Sequence, residues 1–200
     1  MPTPSAVIAL LVAAVLLMGS PGPATMSLAA AGAAFGFRPV VPYLAGICLG
    51  TAGVLLIVAT GVTGLVLSVP GIAPVIVAVA GAYILYLAWK IANAAPPAER
   101  GREDGAPAFL GGFLLAIANP KAYAAIGAVY SGATLIDARP LDDAAAKVVL
   151  LSLVIVVVNS LWLLFGAGLA GVLRRPKSGR ALNVVFAVLL VAAFALSVLL

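Results

Sequence analysis

The stretch that decides the fold is residues 5–31, SAVIALLVAAVLLMGSPGPATMSLAAA, an apolar run interrupted at residues 20–23. About 20 apolar residues suffice for a helix to cross a hydrocarbon core of about 30 Å. Similar runs recur along the whole chain, so the sequence predicts an all-α polytopic membrane protein with six transmembrane helices. The predicted helices span residues 5–31, 40–67, 72–92, 108–131, 146–170 and 180–199.

The composition also indicates that lipid is the solvent for most of the chain. The sequence is 64% hydrophobic and 8% charged, whereas a soluble domain carries far more charge on its surface. The net charge of +5 comes from Lys and Arg in the connections, where such residues orient helices in a bilayer. We therefore expect the bilayer, and no nucleic acid, as a partner. Because no Lys or Arg precedes Arg38, the first run lacks the basic region of a signal peptide and is expected to stay as a helix.

The longest polar stretch divides the chain into two halves of one membrane domain. Residues 93–107 contain two adjacent prolines and a run of charged residues, and we interpret them as a cytoplasmic linker. Residues 1–92 and 108–200 then form two three-helix repeats of opposite orientation, as in many secondary transporters. Most Lys and Arg fall on the side of the linker when connections alternate, so the positive-inside rule predicts both termini outside.

Each half begins with an interrupted helix. The first predicted helix carries Ser20-Pro21-Gly22-Pro23, and the fourth carries Asn119-Pro120-Lys121. Proline removes a backbone donor and clashes with the preceding turn, and backbone groups freed in lipid need a partner. Each motif starts with an N-cap residue followed by a proline that suits the first helical position. We expect a half-helix to begin there, with its positive end available to an anion; the alternative is two kinks without function.

Lys121 is the charged side chain that the sequence puts well inside an apolar run. A lysine near the bilayer centre costs about 2.5–3.5 kcal/mol, so it usually faces a cavity or a partner. We hypothesise that Lys121 attracts the carboxylate of a small substrate; snorkelling to an interface is the alternative. No Asp or Glu falls inside a predicted helix. The acceptors expected for a substrate ammonium are Thr51, Asn159 and the freed carbonyls of Leu17, Gly19 and Ala116, although Asn159 is equally suited to bond a neighbouring helix.

Missing residue types argue against other classes of protein. The chain has no histidine and one cysteine, Cys48, so we expect no metal site, no cofactor, no disulfide and no metal efflux. A metalloprotease or Ser/His enzyme lacks its histidines here. No catalytic residue is therefore predicted, and a Ser/Lys pair that uses Lys121 is the remaining formal enzyme hypothesis. The glycine pairs Gly32/Gly36 and Gly46/Gly50 fit close helix packing, within one chain or in a homo-oligomer.

Four motifs of this chain occur together in one known family. They are Ser20-Pro21-Gly22-Pro23, the glycine-spaced second helix, GAYILYLAWK at residues 81–90, and ANPKA at residues 118–122. In this combination the chain resembles the LysE/RhtB family of amino-acid exporters over nearly its whole length. The resemblance implies a six-helix carrier in the inner (plasma) membrane, energised by the proton gradient. It also implies that the transport site is shaped by Pro21, Gly22, Pro23, Asn119, Pro120 and Lys121.

Two departures from the family pattern bear on the substrate. Many relatives carry an acid after a glycine in the second helix, where this chain has Thr51 after Gly50. Many also carry an acid before an aromatic residue in the fifth helix, where this chain has NSLW at residues 159–162. We therefore expect a substrate that is less cationic than lysine. The predicted function is a secondary transporter that exports amino acids or related carboxylate-bearing metabolites by alternating access; the alternative is a non-transporting membrane partner in lipid or envelope export.

Overall fold

The computed structural model describes residues 3–61, 71–93, 105–137, 139–169 and 176–199. These residues form eight α-helices and no strand, so the predicted all-α class is confirmed. The helices are α1 Pro4–Gly19, α2 Pro23–Phe35, α3 Phe37–Ala59, α4 Ile72–Ala92, α5 Phe109–Ile117, α6 Pro120–Ser131, α7 Pro140–Leu169 and α8 Pro176–Leu199.

Among the described residues, two helices are long and apolar enough to cross a membrane. They are α3, with 23 residues and a mean hydropathy of 2.1, and α7, with 30 residues and a mean hydropathy of 2.7. Up to four spans result if each of the bent pairs α1–α2 and α5–α6 crosses as one unit. The helices α4 and α8 each contribute a shorter apolar stretch, Val77–Ala92 in α4 and Asn183–Leu199 in α8. The described residues thus form a multi-pass helical membrane protein, and the count of six spans stays a prediction.

Both predicted helix breaks are present. The axes of α1 and α2 differ by 63°, and those of α5 and α6 by 60°. Pro120 begins α6 with Asn119 as the N-cap residue, as predicted. In the first motif the prediction was two residues too early, because α2 begins at Pro23 with Gly22 as its N-cap. The Gly22 N–H donates to the hydroxyl of Thr25 at 2.9 Å, which is half of a capping box and fixes this start.

The other helix ends depart from the predicted ranges by a few residues. The second helix ends at Ala59 rather than 67, and residues 62–70 lie outside the described part of the chain. The last helix begins at Pro176 rather than 180. Of the predicted linker 93–107, residues 94–104 also lie outside the described residues.

The fifth predicted helix, 146–170, was placed too late, and a buried ion pair was missed as a result. The helix α7 already begins at Pro140, and the Asp143 carboxylate lies 2.8 Å from the Lys147 ammonium one turn later. Asp143 also accepts hydrogen bonds from the backbone N–H of Leu135 and of the next residue. Acids favour the first turn of a helix because they oppose its dipole, so these charged residues extend the helix instead of forming a loop.

Close packing at glycines brings the two halves of the chain together. A Cβ on Gly50 of α3 would lie 2.7 Å from the backbone oxygen of Phe113 in α5, and Gly46 contacts the backbone of α5 even more closely. Gly32 of α2 similarly faces the backbone of α7. These glycines therefore serve helix packing within the chain. Gly36 has open space around its Cβ position and a φ of +82°, so it permits the bend between α2 and α3 instead.

The helix α2 occupies the centre of the bundle. Residues 23–34 are all buried, and α2 packs against α3, α7 and α8. The helices α3 and α7 pack on each other, and so do α4 and α8. On the other side of α7, the helices α1, α3 and α6 enclose a separate apolar cluster. The break between α1 and α2 lies against α6 and α7, with Gly22 buried and Pro21 exposed.

Candidate functional site

Four carbonyls at the first break accept hydrogen bonds from protein side chains. The hydroxyl of Ser20 donates to the carbonyl of Leu17 at 2.8 Å. The indole N–H of Trp162 in α7 donates to the carbonyl of Gly19 at 3.0 Å. Two of the carbonyls predicted to accept from a substrate are therefore already hydrogen-bonded. The third, that of Ala116 at the second break, accepts from the backbone N–H of Asn119 at 3.3 Å.

Lys121 connects the two breaks. It is the second residue of α6, and its ammonium donates to the carbonyl of Ser20 at 2.5 Å and to that of Pro21 at 3.0 Å. The lysine of the second break thus binds the backbone freed at the first break, about 100 residues away in sequence. The half-buried ammonium is held by carbonyls within the bundle, which argues against simple snorkelling to an interface.

Gly22 provides the space for this contact. A Cβ at Gly22 would lie 2.5 Å from Cδ and 2.9 Å from Nζ of Lys121. The backbone of Gly22 is extended, with a φ of −168°, a conformation that any residue adopts. The requirement for glycine is therefore one of volume, because a side chain at this position would displace the lysine.

A small cavity with five polar side chains in its lining lies beside these contacts. It has a volume of about 40 Å³, whereas a water molecule needs about 10–15 Å³ on the same measure. The predicted site residues that line it are Gly22, Thr51, Asn119, Lys121 and Asn159. The three predicted prolines are absent from the lining. Pro23 and Pro120 begin α2 and α6, and Pro21 contributes its carbonyl to Lys121.

The remaining lining of the cavity was not predicted from the sequence. It consists of Met18, Ala24, Thr25, Ala122, Ala125, Ile126, Ile155 and Val158. Helical spacing could have identified some of these positions, because residues four apart share one helix face. Ile155 precedes Asn159 by one turn of α7, and Ala122 precedes Ile126 by one turn of α6. The apolar members come from α1, α2, α6 and α7.

Two amide oxygens, each on a residue that lines this cavity, have no hydrogen-bond partner among the described residues. They are Oδ1 of Asn119 and Oδ1 of Asn159, and both side chains belong to residues that are 6% exposed. The amide N–H of Asn159 donates to the carbonyl of Ile155 at 2.8 Å, so this residue bonds its own helix and not a neighbouring one. The Asn119 side chain makes no capping hydrogen bond to α6. Buried polar atoms without a partner are rare and indicate a ligand or bound water.

Lys121 also lines a larger groove. This groove has a volume of about 460 Å³ and runs between α2, α6 and α8, which is within the size range of small-molecule pockets. Its other walls are Pro21, Met26, Ala124, Leu189, Ala192, Ala193, Leu196 and Ser197. Lys121 thus lines both a small cavity and a larger, mainly apolar groove.

These features define a polytopic membrane protein in which two interrupted helices meet at a small cavity. A family model of LysE type translocators matches residues 14–200, and the chain belongs to this family. The resemblance inferred from the sequence motifs is thereby confirmed. A translocator family also favours transport over catalysis.

Curated relatives cover most of the chain. The "Cysteine/O-acetylserine efflux protein" of Salmonella choleraesuis (strain SC-B67) is 33% identical over 172 residues, which are 86% of this chain and 87% of the relative. The protein of the same name from Salmonella typhimurium (strain LT2) shows the same values. The protein of that name from Escherichia coli O1:K1 is 31% identical over the same share of both chains. No solved structure matches the chain.

Proposed function

We propose that this chain is a secondary transporter that exports a small amino acid across the inner (plasma) membrane. The observation that carries the proposal is the contact of Lys121 with both helix breaks beside a small cavity. Interrupted helices that meet at mid-membrane are typical of transporter binding sites. The relatives named for efflux of cysteine and O-acetylserine make these two small amino acids the first substrates to test.

The architecture that we propose is a pair of inverted repeats, residues 1–92 and 108–200, joined by a cytoplasmic linker at 93–107. Two observations support it. The breaks have nearly equal angles, 63° and 60°, and equivalent helices of the two halves pack on each other, α3 on α7 and α4 on α8. Rocking of one half against the other would then expose the site to each side in turn.

Lys121 is the residue that we assign to the substrate carboxylate. In the present arrangement its ammonium is held by the carbonyls of Ser20 and Pro21. A carboxylate forms stronger hydrogen bonds with an ammonium than a neutral carbonyl does, so a substrate entering the site would draw the side chain toward itself. The N-terminal end of α2, which begins beside Lys121, adds positive potential for the same carboxylate.

The cavity must enlarge before it holds a whole amino acid. Its volume of about 40 Å³ accommodates a head group, and Lys121 also lines the groove of about 460 Å³. In this structure, Lys121 and Trp162 occupy carbonyls of the first break. Movement of Lys121 away from Gly22 would join the two spaces.

The test is the amino-acid content of cells and medium after overexpression of the wild type and of Lys121→Ala. We expect a specific amino acid to leave wild-type cells and to be retained by the mutant at equal protein level. Lys90→Ala is the matched control, because Lys90 is in the last turn of α4 and does not line the cavity. Equal profiles of wild type and Lys121→Ala across a broad metabolite panel would refute the assignment. They would favour a non-transporting partner in lipid or envelope export.

Orientation and energy coupling need separate experiments. We propose both termini outside and residues 93–107 in the cytoplasm, which reporter fusions in that linker test directly. A linker found outside the cell would overturn the orientation. Coupling to the proton gradient is tested in proteoliposomes, where an imposed pH gradient is expected to accelerate amino-acid movement, and an unchanged rate would exclude it.

A further inference from the structure

We propose that Asn119 and Asn159 together bind the ammonium group of the substrate and thereby select amino acids with uncharged side chains. The inference rests on the proposed function and deepens it, because it names the group that recognises the second end of the substrate. The two residues come from different elements, the start of α6 and the middle of α7, and they line one cavity.

The chemistry of the two free atoms fits a donor-rich ligand. Both are amide oxygens, which only accept hydrogen bonds, and both are buried without a partner among the described residues. The bond from the Asn159 amide N–H to Ile155 at 2.8 Å leaves the oxygen as the free end of that side chain. An ammonium has three N–H donors, so Asn119, Asn159 and the hydroxyl of Thr51, which lines the same cavity, can accept one each.

Size and charge point to the same ligand. An ammonium group is about the size of a water molecule, and the cavity of about 40 Å³ admits it. None of the described residues that line the cavity carries a carboxylate. The two amide oxygens cannot donate a hydrogen bond to a substrate carboxylate, whereas Lys121 supplies a cation at the cavity wall. The two ends of a zwitterion therefore have separate partners.

The same arrangement disfavours amino acids with a second positive charge. A neutral amide oxygen stabilises one ammonium by hydrogen bonding but does not neutralise it, and Lys121 adds a like charge nearby. A dibasic amino acid would bring a further cation into a lining that offers no opposite charge. The expected substrate class is thus a small zwitterion with a neutral side chain.

The test compares two probes that differ only in the ammonium, L-cysteine and 3-mercaptopropionate. Binding of each to the purified full-length protein in detergent, with a reductant, is measured by calorimetry. We expect the wild type to prefer L-cysteine by at least tenfold. Each charge-assisted hydrogen bond that is lost should reduce the affinity for L-cysteine about 10- to 100-fold. Asn119→Leu and Asn159→Leu should therefore abolish the preference while the affinity for 3-mercaptopropionate stays within about twofold.

Two further variants separate recognition from folding. Asn183→Leu replaces an asparagine of α8 that is equally buried but does not line the cavity, and it should keep the wild-type preference. Asn159→Asp retains a hydrogen-bond acceptor and should keep or increase the preference for L-cysteine. This variant therefore tests the inference if the leucine variants do not fold. A preference for L-cysteine that persists unchanged in both leucine variants would overturn the inference, as would its loss in Asn159→Asp.

Failure of this inference differs from failure of the proposed function. One outcome is that Lys121→Ala abolishes export while the asparagine variants keep the preference for L-cysteine. In that case the assignment of Lys121 to the transport site is supported, and the ammonium is bound by other residues. If the wild type exports no amino acid, the proposed function is refuted whatever the asparagine variants show.

Discussion

Lys121→Met removes the ammonium that joins the two helix breaks and keeps a side chain of similar length. Two opposing effects decide the stability of this variant. The ammonium donates two hydrogen bonds, to Ser20 and Pro21, and hydrogen bonds to charged groups contribute about 1.5–3 kcal/mol each. Against this, removal of a lysine from the membrane interior recovers at most about 2.5–3.5 kcal/mol.

The structure indicates that the lost hydrogen bonds are the larger effect. Lys121 is only half-buried and its ammonium is partly accessible, so less than the full insertion cost is recovered. The carbonyl of Ser20 keeps a long contact with the hydroxyl of Thr25 at 3.4 Å, but Pro21 loses its donor. We expect Lys121→Met to lower the free energy of unfolding by about 1–3 kcal/mol. For a chain of this size, each kcal/mol corresponds to about 2–4 °C in melting temperature.

The single cysteine of the chain provides the assay. Cys48 is partly buried, and a dye that fluoresces on reaction with a thiol reports its exposure as purified protein is heated. Lys90→Met is the control, because the Lys90 ammonium makes one long hydrogen bond of 3.4 Å at the end of α4, and its shift should be much smaller. A melting temperature of Lys121→Met equal to or above that of the wild type would refute the reasoning, because the carbonyl contacts would then contribute nothing.

Three other substitutions test neighbouring contacts by the same melting assay. Trp162→Phe removes the donor to the Gly19 carbonyl and should cost about 1–3 kcal/mol; a shift no larger than that of Trp89→Phe, whose side chain is exposed, would contradict this. Gly166→Ala forces a methyl group against the backbone of α2 and should destabilise by about 1–3 kcal/mol or more, whereas Gly168→Ala, with open space at its Cβ, should be neutral. Asp143→Asn leaves the buried Lys147 unpaired and should cost about 3–5 kcal/mol, much of which a second change of Lys147→Met should restore; a double variant as unstable as the single one would argue against the ion pair.

The sequence by itself determined the class of the protein and the positions of its two breaks. Membrane insertion follows from runs of apolar residues, which is a local property of the chain. The breaks follow from proline, which lacks a backbone donor whatever surrounds it. The motifs at these breaks also identified the family, which the match over residues 14–200 confirms. Five residues predicted for the site line one cavity: Gly22, Asn119 and Lys121 at the breaks, Thr51 in α3 and Asn159 in α7.

Only the tertiary structure decided which group satisfies which freed backbone atom. Lys121 binds the carbonyl of Ser20 across 101 residues, and Trp162 binds that of Gly19 across 143 residues. No local pattern specifies such pairs, because they depend on how α6 and α7 pack against the first break. In this packing, protein donors bind the carbonyls that the sequence suggested for a substrate. The amide oxygens of Asn119 and Asn159 have no partner among the described residues. Proline chemistry fixes where backbone groups are released, whereas helix packing fixes which of them remain for a ligand.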